Sequence, residues 1–157
     1  RALEEAYKEG KLRAIGVSNF YPDHFIDIAS NMEIVPAVNQ VETHVFDQQI
    51  EAQKIMEEFG TRIMSWGPFA EGRNNFFTNP VLVDIGKKYG KSAAQVILRW
   101  HMQRGLVTIP RCDNDAYTDE NIRIFDFELS PSEMEIITGL NRNQRANEKN
   151  DPDNFPW

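Results

Sequence analysis

The feature that most constrains the fold is an alternation of short apolar segments with amphipathic segments. Four apolar runs, each bounded by charged or turn residues, are predicted as buried strands, and each is followed by apolar residues at helical spacing. The unit recurs roughly every thirty residues, as in β–α units with parallel strands. The chain is therefore expected to be an α/β protein with a parallel sheet. The predicted strands cover residues 14–17, 35–41, 61–66 and 106–109.

Turn and cap residues divide the remaining segments into helices. Gly10 ends the first helix, and Ser130-Pro131 begins the last, because serine can cap a helix and proline suits its first position. A longer loop is expected over 69–79, and the polar tail over 141–157 is expected to be extended. The predicted helices are 1–8, the stretch that starts at Pro22, 49–59, 80–89, 92–104, 119–124 and 130–140.

Two architectures suit this pattern: a small doubly wound sheet and part of a (β/α)8 barrel. A complete barrel needs ~200–250 residues, whereas this chain has 157. Length alone therefore favours the doubly wound sheet. In both architectures, ligands bind beyond the carboxyl ends of the strands.

Composition limits the partners that this chain can have. The 17 basic and 24 acidic residues give a net charge of −7, which repels phosphate backbones, so we expect no nucleic-acid partner. The apolar runs are far shorter than the ~20 residues that cross a bilayer, so no membrane partner is expected. The single cysteine, Cys112, excludes an internal disulfide and a cysteine-based zinc site. We expect no secretory leader, and this expectation together with the single cysteine favours a cytoplasmic location. No metal site is expected.

Polar and aromatic residues follow the predicted strands. Ser18, Asn19 and Gln40 offer hydroxyl and amide groups, which can hold a neutral polar group by paired hydrogen bonds. Trp66 offers a flat face for stacking a ring, and Arg111 suits a phosphate. These residue types indicate a nucleotide site rather than a hydrolase site. The strand ends read Ser18-Asn19, Asn39-Gln40 with Glu42 and His44 beyond, Trp66-Gly67-Pro68, and Arg111-Cys112-Asp113-Asn114.

Each of these residues also has a structural interpretation. Ser18 and Asn19 could cap the helix near Pro22, and the Gln40 amide could have only structural partners. Tryptophan is more often a core residue than a stacking platform, and Arg111 could pair with Asp113. The histidines His44 and His101 are expected to be structural, and His24 is expected to face solvent.

Motifs that would indicate catalysis are missing from the sequence. It has no G-x-G-x-x-G, G-x-x-x-x-G-K-[ST], G-x-S-x-G or H-E-x-x-H. Cys112 has no obvious base, and no titratable residue has a compelling general-acid role. The residues alone therefore predict the ligand-binding half of a protein, without the residues that would catalyse a reaction.

Five segments carry motifs of a known family, and they occur in the family's order. They are 9–20 (EGKLRAIGVSNF), 36–42 (PAVNQVE), 66–72 (WGPFAEG), 89–100 (YGKSAAQVILRW) and, within 109–129, Ile109-Pro110, Glu120-Asn121 and FDFEL. Together they closely resemble the C-terminal half of the aldo-keto reductase superfamily, in particular its bacterial diketogluconate-reductase-like members. The resemblance implies strands five to eight, with their helices, of a TIM (β/α)8 barrel. Residues 1–157 would form a single domain that lacks the N-terminal half of that barrel.

The resemblance also implies a cofactor, NADPH (NADP) or NADH (NAD), and a role for each strand-end residue. Ser18, Asn19 and Gln40 would hold the nicotinamide carboxamide, and Trp66 would stack on the nicotinamide ring. Gly67, Pro68 and Phe69 would run beside the pyrophosphate. Arg111 and Cys112 would approach the 2′-phosphate, and Glu120 and Asn121 would contact adenine.

Three departures from the family pattern weaken the expected preference for NADPH. The family arginine that clamps the 2′-phosphate and adenine falls at Tyr117, and Asp113 and Asp115 add negative charge near the same phosphate. Arg111, where the family usually has lysine, retains one cation. NADH use is therefore expected beside NADPH use.

The activity implied by the resemblance is NAD(P)H-dependent reduction of small aldehydes and ketones to alcohols. The family's catalytic tyrosine, lysine, aspartate and histidine precede the matching stretch, so no catalytic residue is assigned and the chain alone is expected to be inactive. A full-length parent is expected to be a monomer. The alternative is a non-catalytic nucleotide-binding or assembly half-barrel, which would self-associate through its open sheet edges. Phe155 or Trp157 in the tail could fold over the substrate pocket.

Overall fold

The computed structural model describes residues 1–146 and 151–154, and the chain forms two compact units. Unit 1 comprises Arg1–Val41, Gln49–Met64 and residues 151–154. Unit 2 comprises Glu42–Gln48 and the described residues from Ser65 to Ala146. The sheet has four strands, which lie in the order in which they occur along the chain.

Unit 1 consists of strands that alternate with helices. Strand β1 pairs in parallel with β2, with Gly16 opposite Val38 and Ser18 opposite Gln40. The buried Phe25 of α2 packs edge-on against Phe59, with 5.7 Å between ring centroids, and Met56 of α3 is fully buried. The elements are α1 (Ala2–Lys8), β1 (Gly16–Ser18), α2 (Pro22–Asn31), β2 (Val38–Glu42), α3 (Ile50–Glu58) and β3 (Arg62–Trp66).

Unit 2 contains the remaining helices and the last strand. Backbone hydrogen bonds from Thr43 N–H to Trp66 O (3.2 Å) and from Ile109 N–H to Ser65 O (3.2 Å) join neighbouring segments of the sheet. Its elements are α4 (Pro80–Tyr89), α5 (Ala93–Gln103), β4 (Val107–Thr108), α6 (Asp115–Ile122) and α7 (Pro131–Thr138). Its core includes Val45, Phe46, Phe76, Leu82, Val96, Ile97, Trp100 and Ile137.

The predicted parallel α/β fold is confirmed. The predicted start at Ser130 is also confirmed, because the serine hydroxyl accepts from Glu133 N–H in a capping box at the start of α7. The first strand begins two residues later than predicted, at Gly16. Helix α6 begins at Asp115 rather than at residue 119, because the Asn114 side chain caps it by accepting from Ala116 N–H at 2.7 Å.

The predicted loop and tail contain short turns. Two 3-10 turns, Ala70–Gly72 and Phe76–Thr78, lie within the loop 69–79. The tail, which was expected to be extended, has a 3-10 turn at Pro152–Asn154. Phe155 and Trp157 lie outside the described residues. Among the helices of the described residues, none is long and apolar enough to cross a membrane.

Candidate functional site

In unit 1, the structure brings together Ser18 at the end of β1, Asn19 after it, and Gln40 within β2. The Ser18 hydroxyl donates to the Gln40 carbonyl at 3.0 Å, and Asn19 N–H donates to the same oxygen at 2.9 Å. The Gln40 amide approaches Met64 Sδ at 3.2 Å. Ser18 and Asn19 are exposed, and the interpretation of them as helix caps is wrong, because Tyr21 is the N-cap of α2.

In unit 2, a cavity of about 680 Å³ opens where β3 and β4 end. Trp66 is half-buried at its wall, outside the hydrophobic core of this unit. Gly67 turns the chain after β3 with a φ of +61°, a conformation that glycine adopts without strain. A ring face, a glycine turn and a cation therefore line one cavity. The lining residues are Trp66, Gly67, Pro68, Phe69, Glu71, Gly72, Phe77, Ile109, Arg111 and Asp113.

The cation at this cavity has a partner. Arg111 Nε lies 3.0 Å from the Asp113 carboxylate, with the two side chains 87% and 73% exposed. The pairing considered from the sequence is therefore confirmed, and it occurs at the cavity rather than away from it. Because water surrounds both groups, the pair is weak and can rearrange around a ligand.

The residues predicted to contact the adenylate part of a cofactor are only partly brought together. The Thr118 hydroxyl lies 3.3 Å from Cys112 Sγ, and the Asn121 amide lies 3.9 Å from the same sulfur. Tyr117 is 59% exposed on α6. The Glu120 carboxylate accepts instead from the hydroxyl of Ser92, the N-cap of α5. Glu120 therefore joins α6 to α5 in this structure.

A buried charged cluster in unit 2 is the main feature that the sequence did not predict. Glu42 is 1% exposed, lies 3.0 Å from His44 Nε2 and 2.9 Å from Arg145 Nη2. Burial alone would raise the pKa of Glu42, but hydrogen bonds from His44 and Ala146 N–H and the charge of Arg145 lower it overall. In the sequence, Glu42 and His44 after the predicted second strand are the only indication of this cluster. No residue near them in the chain indicates that Arg145 contacts Glu42.

The three histidines have the burial expected from the sequence. His44 and His101 are fully buried, and His24 is exposed on α2. His101 Nδ1 lies 3.3 Å from the Thr108 hydroxyl, and burial, with the charge of Arg104, lowers the pKa of His101 to about 3. Among the described residues, no group of three histidine, cysteine or acidic side chains is arranged to hold a metal ion.

Comparison with known proteins identifies the class of protein. The sequence model of the aldo/keto reductase family matches residues 1–142. The chain therefore belongs to the aldo/keto reductase family, as its motifs predicted.

Individual relatives agree with this assignment. The chain is 44% identical over 157 residues to the uncharacterized oxidoreductase YtbE of Bacillus subtilis. This match covers 100% of this chain and 55% of that protein. It is 45% identical over 146 residues to a glyoxal reductase of the same organism, with 93% and 52% covered. The chain thus spans about half the length of the curated relatives it matches.

A solved structure of a Gox0644 mutant in complex with NADPH matches with a TM-score of 0.91 at 34% identity. The match covers 99% of this chain and 56% of that one. Because the structural matches are to segments of aldo-keto reductase barrels, the doubly wound sheet that length alone favoured is wrong.

Proposed function

We propose that this chain is the C-terminal half of an NAD(P)H-dependent aldo-keto reductase and supplies residues that bind the cofactor. In this proposal β1 to β4 are strands five to eight of a (β/α)8 barrel, within one domain. The observation that carries it is the cavity of unit 2, which Trp66, Gly67 and Arg111 line where β3 and β4 end. Ligands of parallel α/β folds bind at such strand ends.

The residues at this cavity fit a dinucleotide. The Trp66 ring is wide enough to stack on the nicotinamide. A Cβ atom added at Gly67 would meet no atom within 4 Å, so the backbone there is open to the pyrophosphate. The Arg111 guanidinium can hold a phosphate in a bidentate manner. Pro68 and Phe69 would complete the pyrophosphate side. When bound, the cofactor supplies the hydride, and the residues of this chain hold and orient it.

The other cofactor contacts that we propose rest on the family resemblance, and each involves residues of one unit only. In unit 1, Ser18, Asn19 and Gln40 carry the donors and acceptors that a carboxamide requires. In unit 2, Cys112 and Asn121 are near each other on the side of α6. Contact between Glu120 and adenine would require its carboxylate to accept from the ligand as well as from Ser92.

The proposed cofactor preference is weak. The Asp113 carboxylate lies 3.0 Å from Arg111 Nε, so a 2′-phosphate would compete with this carboxylate for Arg111. Arg111 is the only cation among the cavity-lining residues of the described chain. Tyr117 offers no positive charge where the family has arginine. We therefore propose that NADH binds almost as tightly as NADPH.

The proposed reaction is reduction of a small aldehyde or ketone to an alcohol. Hydride transfer to a carbonyl requires an acid that protonates the developing alkoxide, and such an acid contributes about 10²–10⁴-fold to the rate. In the family this acid lies in the N-terminal half of the barrel, so the chain alone would bind cofactor without reducing a carbonyl. Glyoxal is the first substrate to test, because it is the compound in the name of one relative.

The test begins with the natural protein. Its intact mass is measured first, and its fluorescence is titrated with NADPH and with NADH. Trp66→Leu is expected to raise the Kd of both about tenfold, since stacking on an aromatic ring contributes about 1–3 kcal/mol per base. Phe125→Leu, at an exposed aromatic residue of unit 2 that does not line the cavity, is the matched control.

Oxidation of NADPH by glyoxal completes the experiment. A mass close to twice 18.1 kDa together with glyoxal-dependent oxidation supports the proposal. Binding without oxidation at a mass of 18.1 kDa would favour the non-catalytic half-barrel. No binding of either nucleotide, or an unchanged Kd in Trp66→Leu, would refute the proposed cofactor role.

A further inference from the structure

A buried carboxylate fixes the start of the C-terminal tail in unit 2. Glu42 Oε2 lies 2.9 Å from Arg145 Nη2, while Glu42 Oε1 accepts from Ala146 N–H and lies 3.0 Å from His44 Nε2. His44 Nδ1 accepts from two backbone N–H groups at 3.2 Å, so Nε2 is the nitrogen that donates to Glu42. Because Glu42 and His44 are excluded from solvent, water does not compete for these contacts.

The same arginine contacts a residue of the cavity. The guanidinium carbon of Arg145 lies 5.8 Å from the centroid of the Trp66 ring, within the range of a cation–π interaction. The Arg145 side chain is only 12% exposed, so this interaction is largely shielded from solvent. Arg145 thus joins a rigid buried carboxylate to the ring that lines the cavity.

We propose that Arg145 is a positioning residue for Trp66. Glu42 holds the guanidinium, and the guanidinium holds the indole ring in the orientation in which its cavity side is available to a planar ligand. This inference rests on the proposed function, since it assigns to Arg145 a role in cofactor binding that is exerted through Trp66. Arg145 itself is neutralised by Glu42 and is not assigned contact with the cofactor.

A double-mutant cycle on the full-length natural protein tests this coupling. The NADPH Kd is measured for Arg145→Met in the Trp66 background and in the Trp66→Leu background. We expect Arg145→Met to raise the Kd about fivefold when Trp66 is present and to have no further effect when it is replaced. Arg145→Lys keeps a charge beside Glu42 but lacks the planar guanidinium, and it should show the same coupling with a smaller effect.

Arg142 provides a matched control from the same segment. Its guanidinium lies 5.0 Å from the Phe46 ring centroid, and it does not line the cavity. Arg142→Met should therefore leave the NADPH Kd unchanged in both backgrounds. The urea midpoint of each variant separates loss of binding from loss of folding, and Arg145→Lys replaces Arg145→Met if the latter does not fold.

The outcomes separate this inference from the proposed function. If Trp66→Leu binds NADPH as tightly as the wild type, the proposed function fails and the inference fails with it. If Trp66→Leu weakens binding but both Arg145 variants do not, the inference alone is overturned. Equal losses for an Arg145 variant in the two backgrounds would also overturn it, because Arg145 would then act on binding by a route other than Trp66.

Discussion

Two arginine–carboxylate pairs in unit 2 have nearly the same length and very different surroundings. Arg145 and Glu42 are 2.9 Å apart with side chains 12% and 1% exposed, whereas Arg111 and Asp113 are 3.0 Å apart with side chains 87% and 73% exposed. Water competes with the exposed pair, so its net contribution is small. In the buried pair, a charge that loses its partner has no water to replace it. Burial rather than distance therefore decides which pair holds local geometry and which can change partners.

The largest expected effect comes from breaking the buried pair. Glu42→Ala should lower the free energy of unfolding by about 3–5 kcal/mol, because it leaves the Arg145 charge and the His44 N–H without their carboxylate. Asp113→Ala, the equivalent change in the exposed pair, should lower it by less than about 1 kcal/mol. Urea denaturation of the two variants measures both values. Similar losses in the two variants would contradict the comparison.

A third carboxylate is intermediate, because it is buried while its lysine partner is exposed. Glu133 lies 3.0 Å from Lys88, with side chains 5% and 62% exposed. Burial alone would raise the pKa of Glu133, but hydrogen bonds from Tyr89, Ser130 and Lys88 outweigh it and lower the pKa to about 2. Since unfolding returns the pKa of Glu133 to its ordinary value of 4.5, the unfolded chain binds more protons than the folded chain between pH 2 and pH 4.5. The contribution of Glu133 to the free energy of unfolding should therefore be present above pH 4.5 and be lost as the pH approaches 2.

The change Glu133→Gln tests this pH dependence. The wild type should lose about 3 kcal/mol of stability between pH 4.5 and pH 2 that the variant does not lose. The measurement is the urea midpoint of both proteins across that range. Parallel curves for the two proteins would show that Glu133 makes no such contribution.

His101 shows the effect of burying a titratable group beside a cation. Its pKa is lowered from 6.5 to about 3, first by burial and then by the charge of Arg104. The unfolded chain therefore binds a proton below pH 6.5 that the folded chain does not bind. Stability should fall as the pH is lowered from 6.5, by about 1.4 kcal/mol per pH unit, or about 2 kcal/mol at pH 5.

Comparison of His101→Gln with the wild type isolates this contribution. The difference between their unfolding free energies should narrow steadily from pH 7 to pH 5, because the variant lacks the buried imidazole. His24→Gln, which removes an exposed histidine of α2, is the matched control. A constant difference between His101→Gln and the wild type would rule out the proposed linkage.

The smallest expected effect concerns the exposed pair and depends on the proposed cofactor role. Asp113→Asn releases the Arg111 guanidinium from its carboxylate and should lower the NADPH Kd about threefold, with no change for NADH, which lacks the 2′-phosphate. Isothermal titration with both nucleotides provides the test, and Asp84→Asn, in another exposed ion pair of unit 2, is the control. Equal changes for NADPH and NADH would exclude competition between Asp113 and the 2′-phosphate.

Local patterns predicted most of the secondary structure. The apolar runs at β2 and β3 and the caps at Ser92 and Ser130 are readable from the sequence, because strands and helix ends depend on nearby residues. The start of α6 was missed because this helix has no buried residues, so its apolar periodicity is weak, and only the Asn114 cap marks its beginning.

The strand-end residues were predicted for a related reason. Parallel strands place their carboxyl ends at one edge of a sheet, so Ser18 and Gln40 could be expected to be neighbours. They are paired in register, although β2 continues past Gln40 to Glu42. The pair Arg111 and Asp113 was also predictable, since the two residues are separated by a single position. The engagement of Glu120 by Ser92 was not, because α5 and α6 meet only in the folded unit.

The sequence by itself determined the parallel α/β pattern, the family and the residue types at the strand ends, because these depend on local periodicity and on motifs. Only the tertiary structure decided that Arg145 meets Glu42 and approaches Trp66. The two charged residues lie far apart in the chain, and neither has a local signal for the other. A buried charge requires a partner, but the path of the folded chain determines which residue provides it.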